Sequence, residues 1–190
     1  MSKPRLLGIS GSLRKASANT AILKALADRV ADNAMLEIFP LDDIPLYNQD
    51  ADVDPWPPAV TALRNAIAAA DGVIISSPEY NYGMSGVLKN ALDWASRPYG
   101  KAKLTGKPVL TVTASAASTG GVRAQTQLNE TLTAIAALMV LRPQSVIGSV
   151  FQKMTDGKFT DETSLKFLSA AVDDLLRDIA KTQAVVKQES

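Results

Sequence analysis

Short apolar runs alternate with longer segments of helical periodicity along almost the whole chain. The short runs are rich in β-branched and other aliphatic residues, which is typical of strands buried on both faces. The longer segments repeat an apolar residue every three or four positions, as a helix with one buried side does. This pattern predicts strands at residues 6–9, 35–39, 73–77 and 108–113 and within 139–147. It predicts helices at residues 19–31, 86–96 and 125–138. Two further helices are predicted from their apolar sides, one with Val60, Leu63, Ile67 and Ala70 and the last with apolar residues from Leu165 to Ile179.

Five strand–helix pairs in series predict an α/β fold with a doubly wound parallel sheet. Right-handed crossovers place the helices on both faces of such a sheet. The chain has no internal repeat, and the Pro- and Asp-rich connector 41–58 lies between elements of one sheet. We therefore expect residues 1–190 to form a single domain, with a hairpin turn at Asp156-Gly157.

The composition narrows the chemistry more than the fold. Of the 190 residues, 46% are apolar and 21% are charged, as in an ordinary globular protein. The net charge of +1 predicts neither a nucleic-acid nor a membrane partner. The chain has no cysteine and no histidine, which excludes thiolate and iron–sulfur chemistry, an ordinary zinc site, a serine–histidine–aspartate triad and an imidazole base. Any demanding chemistry must therefore come from carboxylates, hydroxyls, cationic side chains, a metal held by oxygen ligands or an organic cofactor.

The longest apolar run, residues 134–141, is far shorter than the roughly 20 residues that span a bilayer. The apolar run near Lys3 and Arg5 is too short for the core of a signal peptide. We therefore expect a cytoplasmic protein.

The loop after the first predicted strand brings polar groups to the start of a helix. It contains the hydroxyls of Ser10, Ser12, Ser17 and Thr20, the amide of Asn19 and the guanidinium of Arg14. It matches neither the dinucleotide fingerprint nor the P-loop, and no G-x-S-x-G nucleophile elbow is present. Because a helix N-terminus offers unpaired N–H groups, the loop suits a phosphate. Alternatively, these residues only cap the helix and Arg14 is solvated.

The loop after the third predicted strand is the most specific stretch of the chain. Residues 77–86 carry two tyrosines, an asparagine and two glycines between a buried strand and a helix. Tyrosines offer flat contact and glycines admit close backbone approach, so the loop suits a flat heteroaromatic ring. The helix that follows the loop has residues with a purely structural interpretation. Lys89, Asn90 and Asp93 then form an exposed helix face, and Trp94 belongs to the core.

Two motifs together carry a resemblance to a known family. They are Gly11-Ser12-Leu13-Arg14…Ser17…Asn19 and Pro78-Glu79-Tyr80-Asn81…Gly86…Leu88-Lys89-Asn90-Ala91…Asp93-Trp94. The chain resembles the NADPH-dependent FMN reductase family, and within it the bacterial NAD(P)H:quinone reductase and chromate reductase branch. The resemblance covers nearly the whole chain. It implies a flavodoxin-like five-stranded parallel sheet of order 2-1-3-4-5, non-covalently bound FMN, and a homodimer or homotetramer with FMN near the subunit interface.

The resemblance also implies which residues bind the cofactor. At the phosphate end they are Ser12, Leu13, Arg14, Ser17, Ala18, Asn19 and Thr20. Around the isoalloxazine ring they are Pro78, Glu79, Tyr80, Asn81, Tyr82, Gly83 and, from the loop after the fourth strand, Ser115. Gly120 and Gly121 belong to the same loop or only start the next helix. Segment 44–50 lies beside a subunit contact in relatives, or is a turn that covers the sheet.

One residue departs from the family pattern. Many relatives carry proline before the glycine at 86, where this chain has Ser85. This change loosens the loop and removes no ligand.

The implied reaction passes two electrons from NAD(P)H through FMN to a small acceptor. Quinones are the expected acceptors, and azo compounds, chromate and free flavin are further ones. The flavin takes the hydride itself, so no catalytic side chain and no metal ligand is assigned. NADPH and NADH both stay open as donors, with Arg97 and Arg123 as candidates for binding a 2′-phosphate.

Three alternatives remain at this point. A flavodoxin-type electron carrier shares the fold without oxidising NAD(P)H, although carriers are usually acidic and this chain is nearly neutral. A nucleotide-sensing module binds without redox turnover. A reductase of an iron–sulfur partner is the third.

Overall fold

The computed structural model describes residues 3–189 and centres on a parallel sheet. Its strands are β1 (Arg5–Ser10), β2 (Met35–Phe39), β3 (Gly72–Ser77), β4 (Glu79–Tyr80), β5 (Gly83–Met84), β6 (Pro108–Ala114), β7 (Leu138–Met139), β8 (Ser145–Ile147), β9 (Met154–Thr155) and β10 (Lys158–Phe159). Its α-helices are α1 (Ala18–Val30), α2 (Pro58–Ala69), α3 (Gly86–Ala95), α4 (Val122–Ala134) and α5 (Glu162–Glu189), and short 3-10 helices lie at Gln49–Ala51 and Val150–Lys153.

The main sheet has the strand order β2-β1-β3-β6-β7, and β8 also pairs with β6. All of these pairings are parallel. The predicted order 2-1-3-4-5 is therefore confirmed, with β6 as the fourth strand and β7 and β8 sharing the fifth place. The direction of winding reverses between β1 and β3, and ligands of such sheets bind in the crevice there, outside the carboxyl ends of the strands.

Two apolar layers cover the sheet, because successive strand residues point to opposite faces. On one side Ile74 and Leu110 pack in a cluster with α1 and α5. On the other side Val73 and Val109 pack in a cluster with α2, α3 and α4. Strand β3 is buried at all six residues, as the run of β-branched residues predicted. Among residues 3–189, no helix combines the length and the apolar character needed to cross a membrane.

The first four predicted strands agree with the structure to within one residue at each end, but the fifth is broken into two pieces. Leu138–Met139 pairs with the start of β6, and Ser145–Ile147 pairs with its end. Residues 140–144 between them leave the sheet at Pro143. Proline has no N–H to donate to a ladder, so one continuous strand through Pro143 is disfavoured.

The predicted helix 125–138 is wrong at both ends. Helix α4 starts at Val122, because Gly120 and Gly121 with φ of 67° and 86° turn the chain into it. It stops at Ala134, and Ala136 with φ of 60° redirects the chain into β7. The apolar run 134–141 has no polar residue to mark this change from helix to strand.

Two loops contain small hairpins. The predicted turn Asp156-Gly157 joins β9 to β10 in antiparallel pairing, which confirms the hairpin. The segment 78–85, predicted as a loop, contains a second antiparallel pair, β4 with β5. Ser85 accepts a hydrogen bond from the Leu88 N–H at 3.3 Å and so caps α3. A serine there therefore anchors the end of the loop rather than loosening it.

The connector 41–58 is docked on α3. Asn90 accepts from the Tyr47 N–H at 2.7 Å and donates to the Pro45 carbonyl at 2.8 Å. The indole N–H of the fully buried Trp94 donates to the same carbonyl at 2.8 Å. Trp94 is thus a core residue as predicted, whereas Asn90 is a half-buried tether and not part of a solvated face.

Asp161 caps the long helix α5, accepting from the Ser164 N–H and from the Lys153 ammonium at 2.9 Å each. The Ser164 hydroxyl, the Lys153 side chain and the Ser164 N–H lower the pKa of Asp161 to about 2. A carboxyl with a lowered folded-state pKa stabilises the protein fully above its unfolded pKa and loses this effect as the pH falls through its folded pKa.

We predict that Asp161→Ala lowers the free energy of unfolding by about 1 kcal/mol at pH 7, the usual cost of losing a helix cap. The gap between variant and wild type narrows as the pH falls from about 4 towards 2. Urea unfolding at pH 7, 4 and 3 measures both effects. The matched control is Asp173→Ala, at an exposed position within α5, with no loss expected. An equal loss in the two variants contradicts the capping role.

Candidate functional site

The carboxyl ends of β1, β3 and β6 meet at one edge of the sheet and are joined by hydrogen bonds. The Gly11 N–H donates to the Ser76 carbonyl at 2.8 Å, which holds the first loop against β3. The Ser76 hydroxyl donates to the Asn19 side-chain oxygen at 2.8 Å. The Asn19 amide nitrogen donates to the Ala114 carbonyl of β6 at 3.5 Å. Asn19, only 3% exposed, therefore links α1 to the ends of two strands.

The start of α1 has the polar groups of an anion-binding site. Ser17 caps the helix by accepting from the Thr20 N–H at 3.1 Å, and the Thr20 hydroxyl donates to Ser10 at 2.8 Å. The N–H groups of Ala18 and Asn19 have no carbonyl partner within the helix, because it begins there. The first turn carries no acidic side chain. This end of the helix therefore attracts a negative group.

Two cations and an aromatic ring stand around this opening. Arg14 and Lys15 are exposed in the loop that leads into α1. The Arg14 guanidinium lies 6.0 Å from the ring centroid of Phe151, which is 49% exposed. The Arg14 carbonyl accepts from the N–H of the cap residue Ser17 at 3.1 Å, so Arg14 is next to the helix start while its side chain extends towards the Val150–Lys153 turn.

The β4–β5 hairpin presents aromatic side chains at the same edge. Its two-residue turn is Asn81-Tyr82, with φ of 49° and 68°. Two positive φ values in a hairpin turn normally call for glycine or asparagine, so a tyrosine at the second position is strained. Tyr80 is 52% exposed and Tyr82 is 71% exposed. Backbone strain of this kind is concentrated at functional sites.

Helix α4 holds this hairpin at several points. The Glu79 carboxylate accepts from the Arg123 and Ala124 N–H groups at 3.0 Å each and so caps α4, whose own cap residue is Gly121. The Gln127 side-chain oxygen accepts from the Met84 N–H at 2.7 Å. The Arg123 guanidinium lies 4.2 Å from the ring centroid of Tyr82.

The loop after β6 closes the edge on the far side. The Ser115 N–H donates to the Ile147 carbonyl at 3.1 Å, and the Ser115 carbonyl accepts from the Val150 N–H at 3.0 Å. Gly148 faces the backbone of Ser118 so closely that a Cβ there would overlap it. The loop is therefore fixed against the segment that follows β8.

The predicted site residues differ in how far they are accessible. The exposed ones are Leu13, Arg14, Tyr80, Asn81 and Tyr82. The half-buried ones are Ser12, Thr20, Glu79, Gly83 and Ser115. The buried ones are Ser17, Ala18, Asn19 and Pro78. The exposed set offers side chains to a ligand, whereas Asn19 and Glu79 use their polar atoms to hold the edge together.

Gln127 is the contact residue of this edge that the sequence analysis missed. It lies 43 positions after Met84, in a helix whose periodicity marks only its buried side. Of the other candidates, Arg123 lies at the hairpin, whereas Arg97 lies beyond the far end of α3, beside Asp52 and the Tyr47 ring. Among residues 3–189, no group of three acidic residues could hold a metal ion.

Fold and edge together are those of an α/β protein of the doubly wound class, in which ligands bind at the carboxyl ends of the parallel strands. Residues 4–152 match the family described as NADPH-dependent FMN reductase, and the chain belongs to that family. It is therefore an oxidoreductase with FMN as its cofactor and NAD(P)H as its electron donor.

Individual relatives agree with this assignment. An NAD(P)H-dependent FMN reductase of Pseudomonas aeruginosa is 43% identical over 145 residues, which cover 76% of this chain and 78% of the relative. A quinone reductase of Pseudomonas putida is 34% identical over 178 residues, 93% of this chain and 95% of the relative. The solved structure of the flavoenzyme NAD(P)H:(acceptor) oxidoreductase of Paracoccus denitrificans is 33% identical, with a TM-score of 0.84 over 94% of this chain and 98% of that one.

These findings confirm the predicted family, fold class, enzyme class and cofactors. They point to small molecules as acceptors.

We predict that Asn19→Ala lowers the free energy of unfolding of the apoprotein by about 1–3 kcal/mol, because the buried Ser76 hydroxyl then loses its acceptor. Urea unfolding without added ligand measures the change. Asn33→Ala makes the same chemical change at an exposed position and should cost less than about 0.5 kcal/mol. Equal losses in the two variants would contradict the linking role of Asn19.

Proposed function

We propose that this enzyme reduces quinones with NAD(P)H and holds its FMN across the edge formed by the start of α1 and the β4–β5 hairpin. The observation that carries the proposal is the pairing of an open, cation-flanked helix N-terminus with an exposed pair of tyrosines on a strained turn. When bound, FMN supplies the redox chemistry, which is hydride uptake from NAD(P)H and two-electron reduction of the acceptor.

The residues at the start of α1 fit the phosphate of FMN. The N–H groups at the helix start, the hydroxyls of Ser12 and Ser17 and the guanidinium of Arg14 are all donors. A helix N-terminus alone contributes only about 0.3–1 kcal/mol at an exposed site, so the charged hydrogen bonds of Arg14 supply a larger share. Leu13, Ala18, Asn19 and Thr20 complete this end through backbone groups and packing.

The hairpin and the loop after β6 fit the ring. Tyr80 and Tyr82 offer flat apolar faces, and Asn81 carries an exposed amide between them. Pro78, Glu79 and Gly83 shape the backbone around these side chains, and Ser115 borders the ring from the neighbouring loop. The work of these residues is to bind and orient the ring and to exclude water, and we assign no catalytic side chain.

The remaining parts of the proposal concern the domain organisation, the oligomeric state and the location in the cell. We take the whole chain as one FMN-binding domain that assembles into a homodimer or homotetramer, with the cofactor near the subunit interface. Leu46 and Tyr99 are exposed at 84% and 86%, so both are available for contact with another subunit. Segment 44–50 contributes Leu46 to such an interface. The cytoplasm, where NAD(P)H is available, is the proposed location.

Anaerobic titration of the purified protein tests the reaction. We expect a bound-flavin spectrum that bleaches on addition of NADPH or NADH and returns on addition of benzoquinone. The rates with the two nucleotides give the donor preference. A flavin that stays oxidised with both nucleotides would indicate an electron carrier, and a protein that takes up no FMN would contradict the proposal.

We predict that Arg14→Ala weakens FMN binding by about tenfold or more, because charge-assisted hydrogen bonds contribute about 1.5–3 kcal/mol. Riboflavin, which has no phosphate, should bind the variant and the wild type equally. Titration of flavin fluorescence measures both affinities. Arg177→Ala, at a 67% exposed arginine of α5, is the matched control and should leave both affinities unchanged. Equal losses for FMN and riboflavin would show that Arg14 does not bind the phosphate.

A further inference from the structure

We propose that Gln127 of α4 is a positioning residue that sets the β4–β5 hairpin for contact with the flavin ring. The inference rests on the proposed function, in which Tyr80 and Tyr82 contact that ring. Gln127 itself acts on the hairpin backbone.

The hairpin is joined to α4 through both of its strands. On β4, the Glu79 carboxylate accepts from the N–H groups of Arg123 and Ala124. On β5, the Met84 N–H donates to the Gln127 side-chain oxygen at 2.7 Å. One helix therefore contacts both strands through its first two turns, and Gln127 supplies the side-chain hydrogen bond to the second strand, beside the burial of Met84 in the core.

Because Gly83 has no side chain, it leaves room for the side chain of Gln127. A Cβ added to Gly83 would lie 2.8 Å from the Gln127 side-chain oxygen, closer than real Cβ contacts come. The nearest obstacle is the far end of a flexible side chain, so a larger residue at 83 is accommodated only if Gln127 moves. Moving that oxygen away lengthens and weakens its bond to Met84, and the two positions are therefore coupled.

The hairpin needs an external support. Each strand has two residues, and an isolated pair of short strands is marginal in water at best. Its turn places Asn81 and Tyr82 at positive φ without a glycine. Such a turn persists only where its surroundings hold it, so the contacts with α4 keep the two tyrosines in place.

Removing the acceptor at 127 therefore affects the two ends of the flavin differently. The Met84 N–H loses its partner and β5 loosens, which moves the turn and the tyrosines. The phosphate end lies on α1, which Asn19 and Ser76 hold separately. Ring contact should weaken while phosphate contact is kept.

The test compares Gln127→Leu, which removes the acceptor, with Gln127→Glu, which keeps an oxygen there. We expect Leu to weaken FMN and riboflavin equally, by about tenfold, because binding of the ring must then order a loosened hairpin. The visible circular dichroism of bound flavin should change as well. Glu should bind within about threefold of wild type. Glu130→Gln, at an exposed position of the same helix, should change neither quantity.

A double-mutant cycle with Gly83→Ala tests the coupling. Gly83→Ala alone should weaken riboflavin binding to a similar extent as Gln127→Leu. In the Gln127→Leu background it should add little, because the bond it weakens is already gone. Thermal unfolding of each apoprotein shows that the variants are folded at the temperature of measurement.

The outcomes separate the two proposals. If wild type binds neither flavin, the proposed function fails and the positioning role fails with it. If wild type binds FMN and Gln127→Leu binds both flavins equally well, only the positioning role is overturned. The positioning role is also overturned if Gln127→Leu weakens the binding of FMN but not of riboflavin. It is overturned as well if the effects of Gln127→Leu and Gly83→Ala on riboflavin affinity are fully additive.

Discussion

The buried side chain of Asn19 is the interaction on which the ligand-binding edge depends. Its oxygen accepts from Ser76 at the end of β3, and its nitrogen donates to the Ala114 carbonyl at the end of β6. These contacts place the start of α1 over two neighbouring strand ends. The bond to Ser76 is short, at 2.8 Å, whereas the contact with Ala114 is long, at 3.5 Å, so Ser76 contributes more to fixing this geometry in a low-dielectric interior. The position of the proposed phosphate site is therefore set by the sheet, through the contacts of Asn19 with the ends of β3 and β6.

The ring end is held in another way, and the difference suits an enzyme with two successive substrates. Glu79 and Gln127 tie the hairpin to α4 through exposed or half-buried contacts, and Tyr82 is 71% exposed, with the Arg123 guanidinium 4.2 Å from its ring. Contacts that solvent reaches open more easily than buried ones. A cofactor anchored rigidly by its phosphate tolerates some freedom around its ring. That freedom is useful there, because a donor and an acceptor must each approach the ring in turn.

Local patterns determined most of what could be predicted from the sequence. Strand β3 is buried along its length, so its composition alone was sufficient, and the polar loop before α1 lies in one continuous stretch of chain. Residues 139–147 contain a strand as predicted, but the pattern did not show that the fifth place in the sheet is shared by two short pieces on either side of Pro143. The hairpin was missed since strands of two residues leave no periodicity, and its turn lacks the expected glycine. The contact between Gln127 and Met84 joins distant parts of the chain, which no local pattern reports.

The absence of histidine and cysteine limits what this edge contributes to the reaction. Histidine is the side chain whose ordinary pKa places a charge change near neutrality, and the chain has none. The polar groups at the edge are hydroxyls, amides, guanidinium groups and a carboxylate that caps a helix. Such groups bind and orient ligands well but do not exchange protons readily near neutral pH. The protein must then increase the rate by positioning the cofactor and the substrates. Residues that hold other residues in place, such as Asn19 and Gln127, are therefore as important as those that contact the ligand.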